Sequence, residues 1–396
     1  MTEKERIFLH CPTCVSALGL GVETTARALL SQDFVALNRY ENILNEKSVP
    51  YGIVKEAPPT GAPADYVLTR TNRLIQMSLE ATPEIGEYLS RFDADRVAVV
   101  LGASTSGMRE IELGMNIAHE TGELPEEFSA DALNLSDPAF FTADALGICG
   151  PVFTVSNACA SGAMALEMAA EMLRAGIVDA VVTGGIDGFS KFTSYGFSSL
   201  GAMSDEQCSP FAENRHGINL GEGGALLVLS KEPSAVELAG WASTCDAHHA
   251  SAPEPEGAQA SAAMQRALQK AQLEPKDVDF VSAHGTATTL NDAMESKAIA
   301  RIFGSTTPVA SLKGLTGHTL AGAGALQAAF AWIVLTMNPE GKLPVNGMTG
   351  NRDSTLADID LVTQPRKLNR PLKAVMGNAF AFGGSNAVLI FKSVEA

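Results

Sequence analysis

The 396-residue sequence predicts an α/β protein made of two similar halves, and three observations lead to that prediction. Short apolar runs rich in β-branched residues alternate with long helical patterns, an order that gives a parallel sheet covered by helices. The pattern Ala-Leu-Glu-Met-Ala-Ala at 165–170 recurs in a similar form, Ala-Leu-Gln-Ala-Ala, at 325–329, which indicates an internal duplication. The composition, with 46% hydrophobic and 18% charged residues, is typical of a compact domain pair.

The first half is assigned to residues 1–236. Its predicted elements are, in chain order, a strand over 6–15, helices over 22–32 and 69–89, a strand over 97–102, helices and polar loops over 109–145, a strand over 152–155, a helix that ends near 175, and strands over 178–183 and 225–229. Residues 35–66 hold four prolines, so we expect an irregular excursion over the surface there.

The second half is assigned to residues 237–396. Its predicted elements are a helix over 257–273, a strand over 278–283, a helix over 292–303, a strand over 308–311, a helix over 318–337, and closing strands over 373–376 and 387–391. The apolar part of the fifth element, 328–337, is too short to span a bilayer. We therefore expect no membrane span.

Charge and cysteine usage narrow the function classes. A net charge of −17 argues against nucleic acid or an anionic membrane as a partner, so an acidic protein partner would need a local basic patch. The six cysteines form no disulfide framework, and Cys11-Pro-Thr-Cys14 has no second ligand pair, so no metal site is predicted. Residues 3–6 are charged and do not resemble a secretory signal, which leads us to expect a cytoplasmic protein.

Cys159 stands at the junction between the predicted strand 152–155 and the long helix that follows. The charged residues of that helix, Glu167, Glu171 and Arg174, lie on one narrow stripe. The rest of the helix surface is apolar, which predicts that the helix is buried. A thiol at the start of a buried helix meets unpaired N–H groups and the positive end of the helix dipole, which favour the nucleophilic thiolate. The alternative is that Cys159 is only a small buried hydrophobic side chain.

Two histidines occupy comparable positions in the second half. His284 follows the strand over 278–283, and His318 follows the strand over 308–311, each with glycine and threonine neighbours. The place of His318 before its helix matches that of Cys159 in the first half. One cysteine and two histidines at strand ends form a set suited to acyl transfer to sulfur.

Four motifs together carry a family resemblance that covers most of the chain. The motifs are Asn157-Ala-Cys159-Ala-Ser-Gly, His284-Gly-Thr-Ala-Thr, Lys313-Gly-Leu-Thr-Gly-His318 and Phe380-Ala-Phe382-Gly-Gly-Ser-Asn386. With them the sequence resembles the elongating β-ketoacyl-acyl carrier protein synthases of the thiolase superfamily. The resemblance implies a thiolase-like, five-layered αβαβα fold and a dimer, formed either with a second copy or with a related subunit.

The resemblance also implies a role for each catalytic residue. Cys159 would take an acyl chain from acyl carrier protein as a thioester. No bound cofactor is expected, because the substrates are attached to the carrier's 4′-phosphopantetheine. His284 and His318 would stabilise the enolate formed by decarboxylation of malonyl-carrier protein. The backbone N–H groups of Cys159 and Phe382 match the family's oxyanion hole. Lys313 would set the protonation and position of the histidines.

Further positions are implied around this centre. Asp292 and Glu295 match supporting acidic residues, and Thr286 and Thr288 match residues that contact the pantetheine arm. Phe380 and Phe382 would contact substrate, with Phe382 as a gate beside the cysteine, and Thr105 falls where chain-length-tuning side chains line the acyl pocket. The resemblance places three arginines near the carrier-docking positions: Arg70, Arg73 and Arg215.

Departures from the family pattern bear on the pathway. Nine residues after His318 the family has Glu, whereas this chain has Gln327, which puts an associated charge or ion site in doubt. The proline-rich segment 35–66 and the pair Asn291-Asp292 look more like synthases of specialised clusters, such as those that make aryl polyenes or polyketides, than a housekeeping fatty-acid enzyme.

Three related proteins are the alternatives. A thiolase needs a second cysteine near the C-terminus, and no cysteine follows Cys245. A starter synthase that uses coenzyme A pairs its cysteine with one histidine and an asparagine, whereas the second position here is His318. A non-catalytic chain-length-factor subunit loses the cysteine, and this chain retains Cys159. The sequence therefore favours an active condensing enzyme.

Overall fold

A computed structural model describes residues 6–44, 47–57, 68–126 and 128–394 of the chain. Within these ranges no helix combines the length and apolarity needed to cross a lipid bilayer. The strands and helices alternate along most of the chain, as the sequence predicts.

The first half contains strands β1 (Phe8–Ser16), β2 (Gly19–Leu20), β3 (Asn38–Leu44), β4 (Lys47–Tyr51), β5 (Val97–Gly102), β6 (Val152–Val155), β7 (Ala180–Asp187) and β8 (Gly223–Ser230). Its helices are α1 (Val22–Leu30), α2 (Arg70–Ala81), α3 (Glu84–Leu89), α4 (Met108–Thr121), α5 (Asp137–Leu146), α6 (Ser161–Arg174) and α7 (Lys191–Ser199). The second half contains strands β9 (Val236–Cys245), β10 (Phe280–Ser282), β11 (Pro308–Ala310), β12 (Asp360–Leu361), β13 (Ala374–Phe380) and β14 (Ser385–Ser393), and helices α8 (Ala258–Ala271), α9 (Thr289–Phe303), α10 (Lys313–Thr316) and α11 (Gly322–Thr336).

The two halves build sheets of the same strand order. In the first half the order is β6-β5-β7-β8-β1, with the first three strands parallel and the last two antiparallel to their neighbours. The second half repeats this pattern as β11-β10-β13-β14-β9. The sheets join where Phe8 and Leu9 of β1 pair with Glu237 and Val236 of β9. The predicted duplication is thereby confirmed.

Three of the four apolar clusters among the described residues divide the molecule into layers. The largest lies between the sheets and contains the apolar faces of α6 and α11. A second cluster joins the outer face of the first sheet to α2, α3 and α5, and a third joins the outer face of the second sheet to α8 and α9. The resulting order of helices, sheet, helices, sheet and helices is the predicted αβαβα arrangement.

The amino ends of α6 and α11 meet at the centre of the molecule. The Gly162 N–H donates to the carbonyl oxygen of Ala321 at 3.1 Å, and a Cβ added to Gly162 would lie only 2.5 Å from that oxygen. A Cβ on Gly324 would likewise lie 2.7 Å from the backbone nitrogen of Ala163. Because glycine lacks a Cβ, the helices can approach this closely. The residues that precede them, Cys159 and His318, are thereby brought together.

Two predicted segments differ from the structure. Part of the expected irregular excursion over 35–66 is an antiparallel hairpin, β3 with β4, in which Val49 and Tyr51 are buried; residues 58–67 lie outside the described residues. The helix predicted over 69–89 is two helices, α2 and α3. Thr82 precedes Pro83 and leaves the helical region with φ −139° and ψ 66°, as the residue before a proline tends to do.

Strand β9 lies where the sequence predicts no strand, and the predicted boundary between the halves, after residue 236, falls at its start. The sequence of this strand contains Gly240 and several alanines and small polar residues, so it lacks the β-branched run that marks the other central strands. Tertiary pairing with β14 over nearly its whole length supplies the order that the local pattern does not.

Candidate active site

A tight turn between β6 and α6 presents the Cys159 thiol. Ala158 has a φ of 47°, in the left-handed region that non-glycine residues rarely adopt. The Ser161 hydroxyl stabilises this turn: it accepts from the Asn157 N–H at 2.8 Å and donates to the Ala158 carbonyl at 2.6 Å. The cysteine lies two residues ahead of the first helical residue and is only 5% exposed. The turn therefore holds a buried thiol at the centre of the molecule.

His318 precedes α11 at the equivalent point of the second half. The Leu320 N–H donates to Nδ1 of His318 at 3.2 Å. In a neutral ring this donor assigns the proton to Nε2. Nε2 is buried and has no hydrogen-bond partner among the described residues. His318 thus offers an unpaired N–H donor.

His284 receives a comparable donor from Lys313. The Lys313 ammonium lies 3.3 Å from Nδ1 of His284 and also donates to the His284 carbonyl oxygen. An ammonium has no lone pair, so Nδ1 accepts and Nε2 carries the ring proton. Burial is the first cause that lowers the pKa values of both His284 and His318 well below their usual range, with the Lys313 charge second. Both rings are therefore neutral at physiological pH.

The cysteine and the two histidines converge on one point. Ligand-capable atoms of Cys159, His284 and His318 all lie within 4.8 Å of one another. The imidazole centroids are 5.4 Å apart and nearly perpendicular. The sequence prediction that these three residues share a site agrees with this geometry.

The resting state of Cys159 differs from the sequence expectation. Burial raises the pKa of the thiol to about 12, and the Lys313 charge and the backbone N–H groups of Cys159 and Phe382 offset this effect only in part. The expectation that the helix start would favour the thiolate is therefore wrong for the resting protein, because desolvation outweighs it. The same two N–H groups lie close enough to the sulfur to favour its charged form, so they are near any acyl group that this sulfur carries.

Glu295 and Asp292 hold the loop that follows β10. Glu295 accepts the N–H groups of His284 at 2.7 Å and Gly285 at 2.6 Å, and Asp292 accepts the Ala287 N–H at 3.2 Å. Burial raises the pKa of Glu295 to about 7 and that of Asp292 to about 6, although backbone N–H donors lower both. These acids position the histidine backbone and do not reach the cavity.

A cavity of about 290 Å³ opens over the three catalytic candidates. Its lining contains the predicted residues Thr286, Thr288, Phe380 and Phe382. The two threonine hydroxyls lie 3.0 Å apart, and the Phe382 ring packs against Phe197 at a centroid distance of 5.8 Å. The cavity is thus a channel with a polar threonine side and aromatic walls.

Thr105 does not line this cavity within the described part of the chain. It is 5% exposed, and its hydroxyl and N–H both donate to Asp187 at 3.0 Å. Asp187 also accepts the Ala321 N–H at 2.9 Å. The carboxylate therefore ties the end of β5 to the turn after His318, and Thr105 belongs to that tie.

The predicted docking arginines lie in different environments. Arg70 is buried against Glu222, with Nε donating to the carboxylate at 2.9 Å, and Arg215 is buried in an ion pair with Asp353. Neither presents its charge at the surface of this chain, so we withdraw both from the docking prediction. Arg73 is half-buried, and its Nε donates to the Leu68 carbonyl at 3.2 Å.

Comparison with known proteins decides the family. The beta-ketoacyl synthase N-terminal domain matches residues 68–235, and the beta-ketoacyl synthase C-terminal domain matches residues 235–344. The chain belongs to the β-ketoacyl synthase family. Its reaction class is therefore the condensing acyl transfer of 3-oxoacyl-acyl carrier protein synthases.

Curated and solved relatives agree with this assignment. The 3-oxoacyl-[acyl-carrier-protein] synthase 2 of Staphylococcus aureus strain MRSA252 is 33% identical over the whole of both chains. That of Synechocystis is 32% identical over 80% of each chain. The ketosynthase ApeO of Xenorhabdus doucetiae, solved in complex with its chain length factor ApeC, is 35% identical with a TM-score of 0.92, covering 100% of this chain and 99% of that chain.

One group of side chains in the described residues has a geometry that suits a metal ion. It consists of the synthase's own Cys159, His284 and His318. One thiol and two imidazoles are ligands that Zn²⁺ accepts in proteins. An ion bound there would occupy the point on which the thiol and the two imidazoles converge.

Sequence reasoning missed several residues around the synthase site. The Asp187 carboxylate accepts five hydrogen bonds. The local sequence around it, Gly-Gly-Ile-Asp, contains no motif that indicates this role. Asn378 donates to Glu295 at 3.1 Å, and Asn386 donates to Asp246 beside the cavity at 2.7 Å. A polar residue inside a buried strand was the available signal for the two asparagines.

Proposed function

We propose that Cys159, His284 and His318 carry out a decarboxylative Claisen condensation between an acyl chain and a malonyl group, both delivered on acyl carrier protein. The observation that carries this assignment is the pair of neutral imidazoles beside the thiol. Each has its Nδ1 occupied by a donor, from Leu320 or Lys313, so each aims an Nε2–H towards the shared space. Two such donors fit an oxygen that becomes negative.

The first step loads the cysteine. The Cys159 sulfur bonds to the thioester carbonyl of the acyl-carrier protein while the bond from that carbonyl to the pantetheine sulfur breaks. The thiol proton lost by Cys159 balances the proton that the departing pantetheine sulfur gains. The backbone N–H groups of Cys159 and Phe382 stabilise the oxyanion that forms in between.

The second step forms the carbon–carbon bond. The malonyl carboxylate leaves as CO₂, and the electron pair of the broken bond forms an enolate whose oxygen accepts from Nε2 of His284 and of His318. The enolate carbon attacks the Cys159 thioester and expels the thiolate, which takes up the proton that the overall reaction consumes. The product is 3-oxoacyl-carrier protein.

We infer that the synthase works with a related partner subunit in a specialised pathway of the aryl polyene or polyketide kind, in the cytoplasm. The 35% identical ketosynthase ApeO was solved with a chain length factor. Among the described residues β6 ends the sheet, and Phe153 on that strand is 44% exposed. An apolar, unpaired sheet edge favours a neighbour at this surface.

Intact-mass spectrometry with a panel of acyl-carrier proteins tests the proposal. Saturated, polyunsaturated and aryl-bearing acyl groups are offered to the chain alone and to the chain with a candidate partner subunit. We expect a mass gain equal to the acyl group, lost in Cys159→Ala and kept in Cys149→Ala, because Cys149 is exposed and does not line the cavity. Acylation that survives in Cys159→Ala would refute the assignment, and the groups accepted identify the pathway.

A further inference from the structure

Gln327 on α11 holds the end of the strand that leads to His284. Its amide nitrogen donates to two consecutive carbonyl oxygens, those of Ser282 and Ala283, each at 3.2 Å. These two acceptors fix the orientation of the amide, because its oxygen in the same place would face both carbonyls without a donor. Ser282 and Ala283 are the last two residues before the histidine. The side chain therefore adds two hydrogen bonds to the strand end.

This contact connects the backbone segments that carry the two histidines. Helix α11 follows the turn that contains His318, and β10 ends two residues before His284. Lys313 donates to the next carbonyl oxygen along the chain, that of His284, so three consecutive carbonyls each accept from a side chain. A shift of the strand end would move the His284 ring from its place, where its centroid lies 5.4 Å from that of His318.

Two convergent carbonyl oxygens need a positive partner, and here the amide supplies it. Carbonyl oxygens carry partial negative charge, so an N–H donor or a cation can hold them together. The glutamate that the family resemblance expects at position 327 would, when ionised, donate nothing and repel both oxygens unless a cation lay between them. In this chain the amide nitrogen of Gln327 already occupies that point at hydrogen-bonding distance. The residues present therefore do not fit an ion there.

We propose that Gln327 is a positioning residue for His284 and that its amide replaces a cation, so that this synthase needs no monovalent ion at the strand end. The inference rests on the proposed function, in which the Nε2–H of His284 meets the enolate oxygen. Gln327 acts on that step only through the backbone of Ser282 and Ala283.

A small cavity beside the amide makes the opposite case testable. It has a volume of about 20 Å³, enough for one water-sized species, and Gln327, Ser282 and Lys313 line it. The Ser282 hydroxyl is buried and has no hydrogen-bond partner among the described residues. With a carboxylate at position 327, a dehydrated Na⁺ or K⁺ would find space and oxygen ligands here. With the amide it would meet N–H donors, so a neutral water suits the cavity better.

Gln327→Glu and Gln327→Met test the proposal, with Gln265→Glu as the matched control because Gln265 is exposed on α8. Release of CO₂ from malonyl-carrier protein is measured in KCl, in NaCl and in choline chloride of equal ionic strength. We expect the wild type and the control to be equally active in all three salts. In choline chloride, kcat should fall roughly 10²-fold in both Gln327 variants, the size of loss that a misplaced group produces. KCl or NaCl should restore Gln327→Glu and leave Gln327→Met impaired.

Two further readouts separate positioning from a general loss of structure. The KM for malonyl-carrier protein and the rate of Cys159 acylation should stay close to their wild-type values, because Gln327 is not among the described residues that line the substrate cavity. The midpoint of thermal unfolding of Gln327→Glu should rise by about 2–4 °C when KCl replaces choline chloride. The midpoint of the wild type should not change.

Each part of the proposal has an outcome that would overturn it. A wild type that KCl or NaCl activates relative to choline chloride would overturn the replacement of a cation, and so would a Gln327→Glu variant that is fully active in choline chloride. Wild-type decarboxylation by folded Gln327→Met, or equal losses of acylation and decarboxylation, would overturn the positioning role. If the wild type released no CO₂ at all, the proposed function would fail, while the thermal unfolding in the different salts would still judge the replacement.

Discussion

Replacing Lys313 with methionine separates the two steps of the proposed reaction. Lys313 is 6% exposed, and its ammonium donates to both Nδ1 and the carbonyl oxygen of His284. Methionine fills a similar volume but donates nothing. Without the donor, the ring proton is free to sit on Nδ1, and His284 no longer presents a fixed Nε2–H to the enolate oxygen. The rate of the condensing step should therefore fall by a larger factor than the rate of Cys159 acylation.

The size of the effect follows from the loss of one preorganised donor. Removing such a donor from a developing oxyanion costs about 3–4 kcal/mol, or roughly 10²–10³ in rate. We expect a loss of this size in the decarboxylation of malonyl-carrier protein by Lys313→Met. Lys313 also lowers the pKa of the Cys159 thiol, so acylation should slow as well, although by a smaller factor.

The pH profile gives an independent check. Burial lowers the pKa of Lys313 to about 8. Because the pKa is lowered, the ammonium loses its proton sooner than an exposed lysine does, and wild-type decarboxylation should fall as pH rises through about 8. The variant has no ammonium to lose, so this falling limb should vanish. Cys159 acylation should show a shallower limb at the same pH, because the Lys313 charge also lowers the pKa of that thiol.

The assay is release of CO₂ from malonyl-carrier protein, measured beside mass-detected acylation of Cys159 across the pH range. Lys297→Met is the matched control, because Lys297 pairs with Glu256 on the surface of α9. A thermal melt confirms that each variant is folded. Decarboxylation within threefold of wild type, or a falling limb that persists in folded Lys313→Met, would refute the assignment of Lys313 as the positioning residue of His284.

Two further predictions follow from the site and its surroundings. Zn²⁺ should inhibit acylation by binding Cys159, His284 and His318, whose ligand atoms lie within 4.8 Å of one another, and a chelator should restore activity. A zinc affinity that is unchanged in Cys159→Ala would place the ion elsewhere. Arg70→Met should lower the free energy of unfolding by about 3–5 kcal/mol in urea denaturation, because it leaves Glu222 as an unpaired buried charge. Its carrier affinity per folded molecule should match the wild type, and a specific loss of affinity would return Arg70 to the docking surface.

The sequence predicts the catalytic centre better than its surroundings, for a physical reason. His284 and His318 follow the adjacent parallel strands β10 and β11, whose carboxyl ends meet at one edge of the second sheet, and Cys159 follows β6 in the first. Local patterns therefore suffice to place the two histidines near one another, and the internal duplication places Cys159 at the equivalent point of the other half. The exact approach depends on Gly162 and Gly324 at the helix crossing, which no local pattern assigns to a contact.

Burial of charged residues could not be predicted in the same way. Arg70 and Arg215 look like solvated surface residues in a local window, but each meets an acid that is distant in the sequence, Glu222 or Asp353. Likewise Thr105 meets Asp187 and not the cavity. Long-range pairs of this kind appear only when the chain is folded, so motif spacing alone misassigns them.

The tautomers of the two histidines bear on how Cys159 is activated. Both Nδ1 atoms already accept donors, so the structure offers no free imidazole lone pair beside a thiol whose pKa burial raises to about 12. A free thiolate is therefore not a resting state of this site. The charge must develop on sulfur and carbonyl oxygen together, when a thioester lies against the N–H groups of Cys159 and Phe382 and Lys313 supplies the nearby positive charge. In the proposed reaction, substrate binding and not a resident base turns this buried thiol into a nucleophile.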